Sequence, residues 1–304
     1  MPISFTFCNQ KGGVGKTTLS YHLAHYLQQL GKKVLVVDLD GQGNISSRLT
    51  PELKPGCYRT RHLFDAKLVP AEIMKTESGI DLIYALDGDN ELHGIEKEDL
   101  KVIGNFNQHL GQLSESYDFV VMDTPPAPGV KLFAGVLTAD HVYVPVELSA
   151  FAVSGVSQVL RSFGVLSRQL NTPIRCAGII VNKFNSRVDS HHKAVAEIRK
   201  ESGNLVMNSQ LVIRGTFDNA MTIGKPVWDV RATGAQRESG HEMVALMEEI
   251  CTNSGIDISK HPSRHHLVKK PATAPVAKAA KAPVKVVVKP VTTKAPAKPA
   301  KKKA

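Results

Sequence analysis

The sequence predicts an α/β protein built on a mainly parallel, twisted sheet flanked by helices. Three observations predict it. Apolar runs ending in an acid or amide recur along the chain, stretches of helical periodicity lie between them, and glycines follow directly after the first run. A strand covered on both faces reads as a near-continuous apolar run, with no alternation. Strands that alternate with helices close into a parallel sheet through right-handed crossovers.

The first element is ISFTFCN (3–9), a short β-rich run that enters a glycine loop. TTLSYHLAHYLQQLGKK (17–33) places Leu19, Leu23, Tyr26, Leu27 and Leu30 at helical spacing and stops at Gly31. KVLVVDLD (33–40) is the next strand. Strand, glycine loop, helix and strand within about forty residues make a βαβ unit. IDLIYAL (80–86), DFVVMDTPP (118–126), HVYVPVEL (141–148) and CAGIIVNKF (176–184) are further strands. Helices are expected over 99–114, 152–170, 190–201 and 236–252, and loops with short helices over the proline-bearing stretch 41–78.

The chain of 304 residues divides near residue 258. Residues 1–258 have an ordinary globular balance. Residues 259–304 are rich in Lys, Pro and Ala. From Lys269 onward there are 11 lysines, six prolines and no acid, so the rest of the chain holds 27 basic against 28 acidic residues. The net charge of +10 therefore belongs to the tail. Such a composition cannot bury enough apolar area to offset chain entropy, and the tail is expected to be disordered, the β-prone VKVVV (284–288) being isolated between prolines. The four cysteines are widely spaced, without a C-x-x-C, and offer neither a zinc motif nor a disulfide framework. No signal peptide opens the chain, and no apolar run is long enough to span a bilayer. His191–His192 and His265–His266 diverge by about 100° on a helix and read as surface residues. Trp228 reads as packing.

The chemistry concentrates in NQKGGVGKTT (9–18). The end of this stretch fits the phosphate-loop pattern G-x-x-x-x-G-K-[ST] through Gly15, Lys16 and Thr17. Its start does not, because Gln10 stands where the pattern has glycine. A tight turn between strand and helix leaves backbone N–H groups free for phosphate oxygens, with the helix dipole adding favourable potential. In such a loop Lys16 is expected to reach the β- and γ-phosphates, and the Thr17 hydroxyl to hold Mg²⁺. A second lysine, Lys11, lies five residues earlier.

K-G-G-V-G-K-T-T resembles the deviant Walker A loop of the ParA/MinD superfamily of dimerising P-loop ATPases. The resemblance implies a P-loop NTPase fold, ATP and Mg²⁺ as cofactors, and an ATP-bound homodimer in which Lys11 touches the phosphates held by the partner. It implies ATP binding by Lys11, Gly12, Gly13, Val14, Gly15, Lys16, Thr17 and Thr18. Gly12 and Gly13 would let two loops approach face to face. VLVVDLDGQGN (34–44) resembles the D-x-D-P-Q-x-N motif, implying that Asp40 orients the attacking water and Asp38 supports the metal site. Gly41 replaces the usual proline and is expected to loosen that turn. VVMDTPP (120–126) resembles the Walker B and switch II segment, implying Asp123 as a Mg²⁺ residue beside Thr17. GIIVNKF (178–184) resembles the adenine-side strand, implying a base contact from Asn182. GKPVWDVRATGAQRE (224–238) resembles the partition branch. Lys11, Lys16 and Asp40 are thus the implied catalytic set.

Iron–sulfur relatives need paired or interface cysteines, and tyrosine kinases of this fold need a tyrosine-rich tail; neither is present. MinD-type relatives end in an amphipathic membrane helix, which a proline-broken end cannot form. No extension precedes the first strand to hold a helix-turn-helix, so operator-specific repression is not expected. The remaining expectation is a cytoplasmic, nucleoid-associated ATPase that binds DNA without sequence preference and partitions plasmid or chromosome with a ParB-like partner, with no membrane association. The alternative is a positioning ATPase for a protein cargo such as a chemoreceptor array, secretion system or microcompartment. Candidate DNA contacts are Arg187, Arg214 and Arg231, and in the tail Lys269, Lys270, Lys301, Lys302 and Lys303. The tail is expected to tune residence on DNA by counterion release, helped by the two copies in a dimer.

Overall fold

The computed structural model describes residues 1–149 and 152–259. The expected tail, with Lys269, Lys270, Lys301, Lys302, Lys303, His265 and His266, lies outside the described residues. Among the described residues seven strands form one sheet: β1 Ile3–Phe7, β2 Val34–Asp38, β3 Met74–Lys75, β4 Asp81–Ile83, β5 Phe119–Asp123, β6 His141–Glu147 and β7 Cys176–Asn182. Their order is β3-β4-β2-β5-β1-β6-β7. All neighbours are parallel except β3, which runs antiparallel to β4 at the edge. β1 is hydrogen-bonded on both sides, so the loop that follows it emerges from the interior of the sheet.

The helices are α1 Lys16–Gln29, α2 Asn44–Leu49, α3 Asn90–Gly94, α4 Val102–Ser114, α5 Val130–Thr138, α6 Ala152–Gln169, α7 Asp189–Ser202, α8 Thr216–Thr222 and α9 Gly234–Asn253. Alternate residues of one strand serve opposite cores, as the two-residue period requires. Val34 and Val36 of β2 pack with α1 and α9, whereas Leu35 and Val37 pack with α4. This two-sided burial is why the strands read as unbroken apolar runs.

The expected strands and long helices are found in place. α5 was not expected, because VKLFAGVLT is apolar nearly all round and lacks the polar face that marks an amphipathic helix. α2, α3 and α8 are too short to establish a period. α9 starts two residues before its expected position, where Thr233 and Gln236 form a reciprocal capping box.

α1 is buried almost throughout, and its histidines are part of the core. His22 Nδ1 lies 2.7 Å from Thr18 O, and His22 Nε2 accepts from Val227 N at 3.1 Å. Accepting at Nε2 fixes the proton on Nδ1, so the ring is neutral and ties α1 to the 227–229 turn. Trp228 is fully buried against His22 and Tyr26 and donates from Nε1 to Gln29 Oε1, confirming a packing role. The His25 and Tyr21 ring centroids lie 4.4 Å apart, and His25 Nε2 is buried without a hydrogen-bond partner among the described residues.

Burial lowers the His22 pKa to about 4 and the His25 pKa to about 3, from 6.5. The unfolded chain therefore binds more protons than the folded one below pH 6.5, and this contribution to stability is lost as pH falls from about 6.5 toward 4. His25→Phe keeps the ring contact and removes one proton from the linkage. Between pH 6 and 4.5 its urea-unfolding free energy should fall less steeply than that of the wild type, by about 1 kcal/mol per pH unit. An unchanged slope would place the charge elsewhere.

Candidate nucleotide cleft and its acidic floor

The loop after β1 turns through two left-handed glycines, Gly13 (φ 71°) and Gly15 (φ 95°), a conformation that side chains disfavour. Three side-chain bonds hold it. Asn9 Nδ2 donates to Pro145 O at 2.8 Å, Lys11 N donates to Asn9 Oδ1 at 2.9 Å, and Asn182 Nδ2 donates to Val14 O at 2.8 Å. No side chain caps the N-terminus of α1, whose first-turn N–H groups are left for an anion. The cleft above them has a volume of about 550 Å³ and is lined by Gly12, Gly13, Gly15, Lys16, Thr17 and Thr18 together with Asp40, Asn182 and Lys183. Val14 packs inward at 1 % exposure.

The two lysines go to different places. Lys16 lies in the cleft at 7 % exposure; burial lowers its pKa, opposed by Asp123, Cys8 and Asp40. Lys11 lies outside the cleft lining, with its side chain about half exposed and its Nζ 3.1 Å from Glu147 Oε2. The other oxygen of Glu147 faces Lys183 Nζ at 3.5 Å. Burial alone would raise the Glu147 pKa, but the two ammonium groups outweigh it and hold the carboxyl below its usual range. Lys183 itself has φ 55°, a strained value for a lysine.

Beneath the loop, register places Asp38 at the end of β2 directly beside Asp123 at the end of β5. Both are fully buried. Asp38 accepts from Asp40 N, Ser46 N and Ser46 Oγ at 2.7–3.1 Å, so its carboxylate organises the loop that carries Asp40. Asp123 Oδ1 accepts from Ser20 Oγ at 3.1 Å, whereas its buried Oδ2 has no hydrogen bond of good geometry among the described residues, the Thr17 hydroxyl being the near group that stabilises this carboxylate. Burial raises both carboxyls; the neighbouring Asp123 adds to the rise at Asp38, and Asp40 adds to it at Asp123, where the Thr17 hydroxyl and Lys16 oppose it. A buried orphan carboxylate oxygen beside a threonine hydroxyl fits a hydrated divalent cation, which takes oxygen ligands and keeps several waters. Thr17 and Asp123 would hold such an ion, with Asp38 next to Asp123 in register.

Gly41 does not loosen its turn. A Cβ there would meet the His93 ring at 2.9 Å, so the glycine is packed against α3, and Gly88 N donates to its carbonyl. Gly43, at φ 61°, closes the same turn by donating to Asp40 O at 2.9 Å. Asp40 is thereby held at the cleft edge despite the missing proline.

The DNA candidates separate. Arg187 is exposed on the loop between β7 and α7, and Arg231 is exposed before α9 with its Nε donating to Trp228 O. Arg214 is placed differently. It lines the cleft, and its guanidinium is committed to Glu238 and Glu242 at 2.8 and 3.1 Å, so it is not a free cation for DNA. Sequence reasoning missed Glu147, although it ends an apolar strand as Asp38 and Asp123 do. It also missed Ser20, Ser46 and the 208–214 segment, which carry no motif.

A family model described as an AAA domain matches residues 3–176. Soj, a sporulation initiation inhibitor protein of Bacillus subtilis, is 30 % identical over 235 residues, covering 75 % of this chain and 92 % of Soj. The chain belongs to the ParA/MinD superfamily, on its ParA/Soj branch. This is a superfamily of P-loop ATPases. In fold, this ParA/Soj-type chain matches apo McdA of Cyanothece with a TM-score of 0.70 at 21 % identity, over 84 % of this chain and 100 % of McdA. It also matches a putative plasmid partition protein from Borrelia burgdorferi bound to AMPPNP, with a TM-score of 0.64 at 22 % identity, over 84 % and 98 %. Among the described residues no helix is long and apolar enough to cross a membrane.

Two outcomes follow from the cleft geometry. In Gly15→Ala the new methyl would lie 2.4 Å from Asn182 Nδ2 at a φ that alanine resists. It should cost about 1–3 kcal/mol in folding and weaken nucleotide binding at least about tenfold, read by thermal unfolding and calorimetric titration. Asp123→Asn removes one of two adjacent buried charges. Without metal it should be more stable than wild type at pH 7, by on the order of 1 kcal/mol, while losing Mg²⁺-dependent enhancement of nucleotide binding. Retained enhancement would exclude Asp123 from the metal site.

Proposed function

We propose that the protein is an ATP- and Mg²⁺-dependent dimerising ATPase that binds DNA without sequence preference and drives plasmid or chromosome partition with a ParB-like partner. The observation that carries this reading is the separation of the two loop lysines. Lys16 serves the cleft of its own chain. Lys11 projects outside it on an exposed loop, rests on Glu147, and is free to exchange that carboxylate for the phosphates of a second copy. Gly12 and Gly13 have nothing within 4 Å of a built Cβ, so a facing loop has room to approach. Membership of the ParA/Soj branch supports the partition role.

In the proposed cycle, bound ATP supplies the γ-phosphate that closes the dimer. The Lys16 ammonium and the open N–H groups of α1 hold the phosphates. Asp40, anchored through Asp38, orients the attacking water; Asn182 braces the loop through Val14 O and stands at the base side. Arg187 and Arg231, doubled by dimerisation, supply the phosphate contacts of the folded domain, and the lysine-rich tail adds salt-dependent affinity.

Three variants and one assay test this. Lys16→Ala should abolish ATP binding. Lys11→Ala should retain ATP binding by the monomer, within about an order of magnitude, but fail to dimerise in light scattering; a surviving dimer sinks the cross-subunit role. Asp40→Ala should trap an ATP-bound dimer. Binding to non-specific duplex DNA with ATP, ADP or no nucleotide, for the full chain and for a version ending at Lys260, should depend on ATP in both. Binding that vanishes with the tail and never depends on nucleotide would redirect the reading to a protein cargo.

A further inference from the structure

The segment from Asn208 to Arg214 contains no helix or strand, yet five of its seven backbone N–H groups have acceptors, from two sides. On the side of the sheet, Met207 N donates to Ile179 O, Leu211 N to Val181 O and Ile213 N to Phe184 O, while Phe184 N donates to Leu211 O. On the other side the acceptors are carboxylates of α9. Glu249 accepts from Asn208 N and Nδ2 on Oε1 and from Ser209 N on Oε2, at 2.7–3.2 Å. Glu242 accepts from Val212 N at 3.2 Å on Oε2 and from Arg214 Nη2 at 3.1 Å on Oε1. Glu238 takes the other Arg214 nitrogen. Residues 238, 242 and 249 fall within about 40° of one another around a helix, so α9 presents them as one acidic stripe.

This strap is also a wall of the cleft. Leu211, Val212, Ile213 and Arg214 line it together with Asn182. Val212 and the exposed Ile213, carried on the core-anchored Leu211, give this wall an apolar lining that suits a nucleobase and has nothing to offer a phosphate. An irregular segment keeps such a surface in place only if its polar backbone is held. Here that hold comes from side chains of the last described helix.

We infer that Glu242, seconded by Glu249, is a positioning residue for nucleotide binding: it hangs the base-side wall of the cleft on α9. The inference rests on the nucleotide reading of the cleft given above. A consequence is that bound base and α9 are mechanically linked, since a base pressing on Val212 and Arg214 loads the same carboxylates that fix α9.

The test uses the full chain and calorimetric titration with ATP, ADP and inorganic tripolyphosphate, each with Mg²⁺. Glu242→Ala should weaken ATP and ADP alike by about tenfold, the loss of a bond to a charged acceptor, and leave tripolyphosphate within about twofold. The isosteric Glu242→Gln keeps an acceptor for Val212 N and loses the charge facing Arg214, and should weaken both nucleotides by about threefold. Unchanged nucleotide affinity in Glu242→Ala, or an equal loss for tripolyphosphate, overturns the role. Should the alanine variant fail to fold, Glu242→Gln decides alone: wild-type nucleotide affinity overturns the inference. A wild-type chain that does not bind ATP at all would instead overturn the nucleotide reading itself.

Discussion

The site depends on the register between β2 and β5, which sets Asp38 directly against Asp123. Two carboxyls buried side by side repel each other and lose hydration, and such an arrangement persists only with compensation. Each is compensated differently. Asp38 spends its oxygens on Ser46 and on the backbone of Asp40, and so becomes an anchor. Asp123 keeps one oxygen unspent, beside Thr17 and facing a nearby buried ammonium. The asymmetry distinguishes a structural acid from one available to a cation. A shift of one residue in either strand would turn one carboxyl to the opposite face of the sheet and remove the pair.

The phosphate loop is held from one side of the sheet, by the two strands beyond β1 on that side. Asn9 reaches Pro145 at the end of β6, and Asn182 reaches back from β7 to Val14. β6 also supplies Glu147, which gathers Lys11 and Lys183. The outer lysine is therefore partnered, in contact with solvent and outside the cleft, while the inner lysine is buried. Burial favours the neutral form of Lys16, and nearby carboxylates restore the charged one. An anion in the cleft adds to that restoring field, which is why a buried lysine is suited to binding phosphate and a solvated one to crossing an interface.

The C-terminal part of the domain is tied to the rest by polar contacts, buried at His22 and partly exposed along α9. His22 bridges α1 to the 227–229 turn through a fixed neutral tautomer, and α9 holds the cleft wall through carboxylates. α1, the 227–229 turn, α9 and the cleft wall are thereby connected through polar contacts. Arg231, proposed for DNA, leaves this body from the carbonyl of Trp228, whose ring is packed against α1.

The sequence by itself determined the alternation of strand and helix, because parallel strands buried on both faces must be apolar throughout. It also determined the phosphate loop, since only glycines accept the two left-handed turns before Lys16. Asp38, Asp40 and Asp123 were legible as acids closing apolar runs. Tertiary structure alone decided what those groups touch. Gly41, which reads as a loosened turn, is packed against His93 from a helix about fifty residues away. Arg214, which reads as a surface cation, is claimed by carboxylates on α9. α5 has no polar face to announce it, and the 208–214 strap has no period at all. These features rest on contacts between segments distant in the chain, and a local pattern carries no record of which partner will satisfy a polar group.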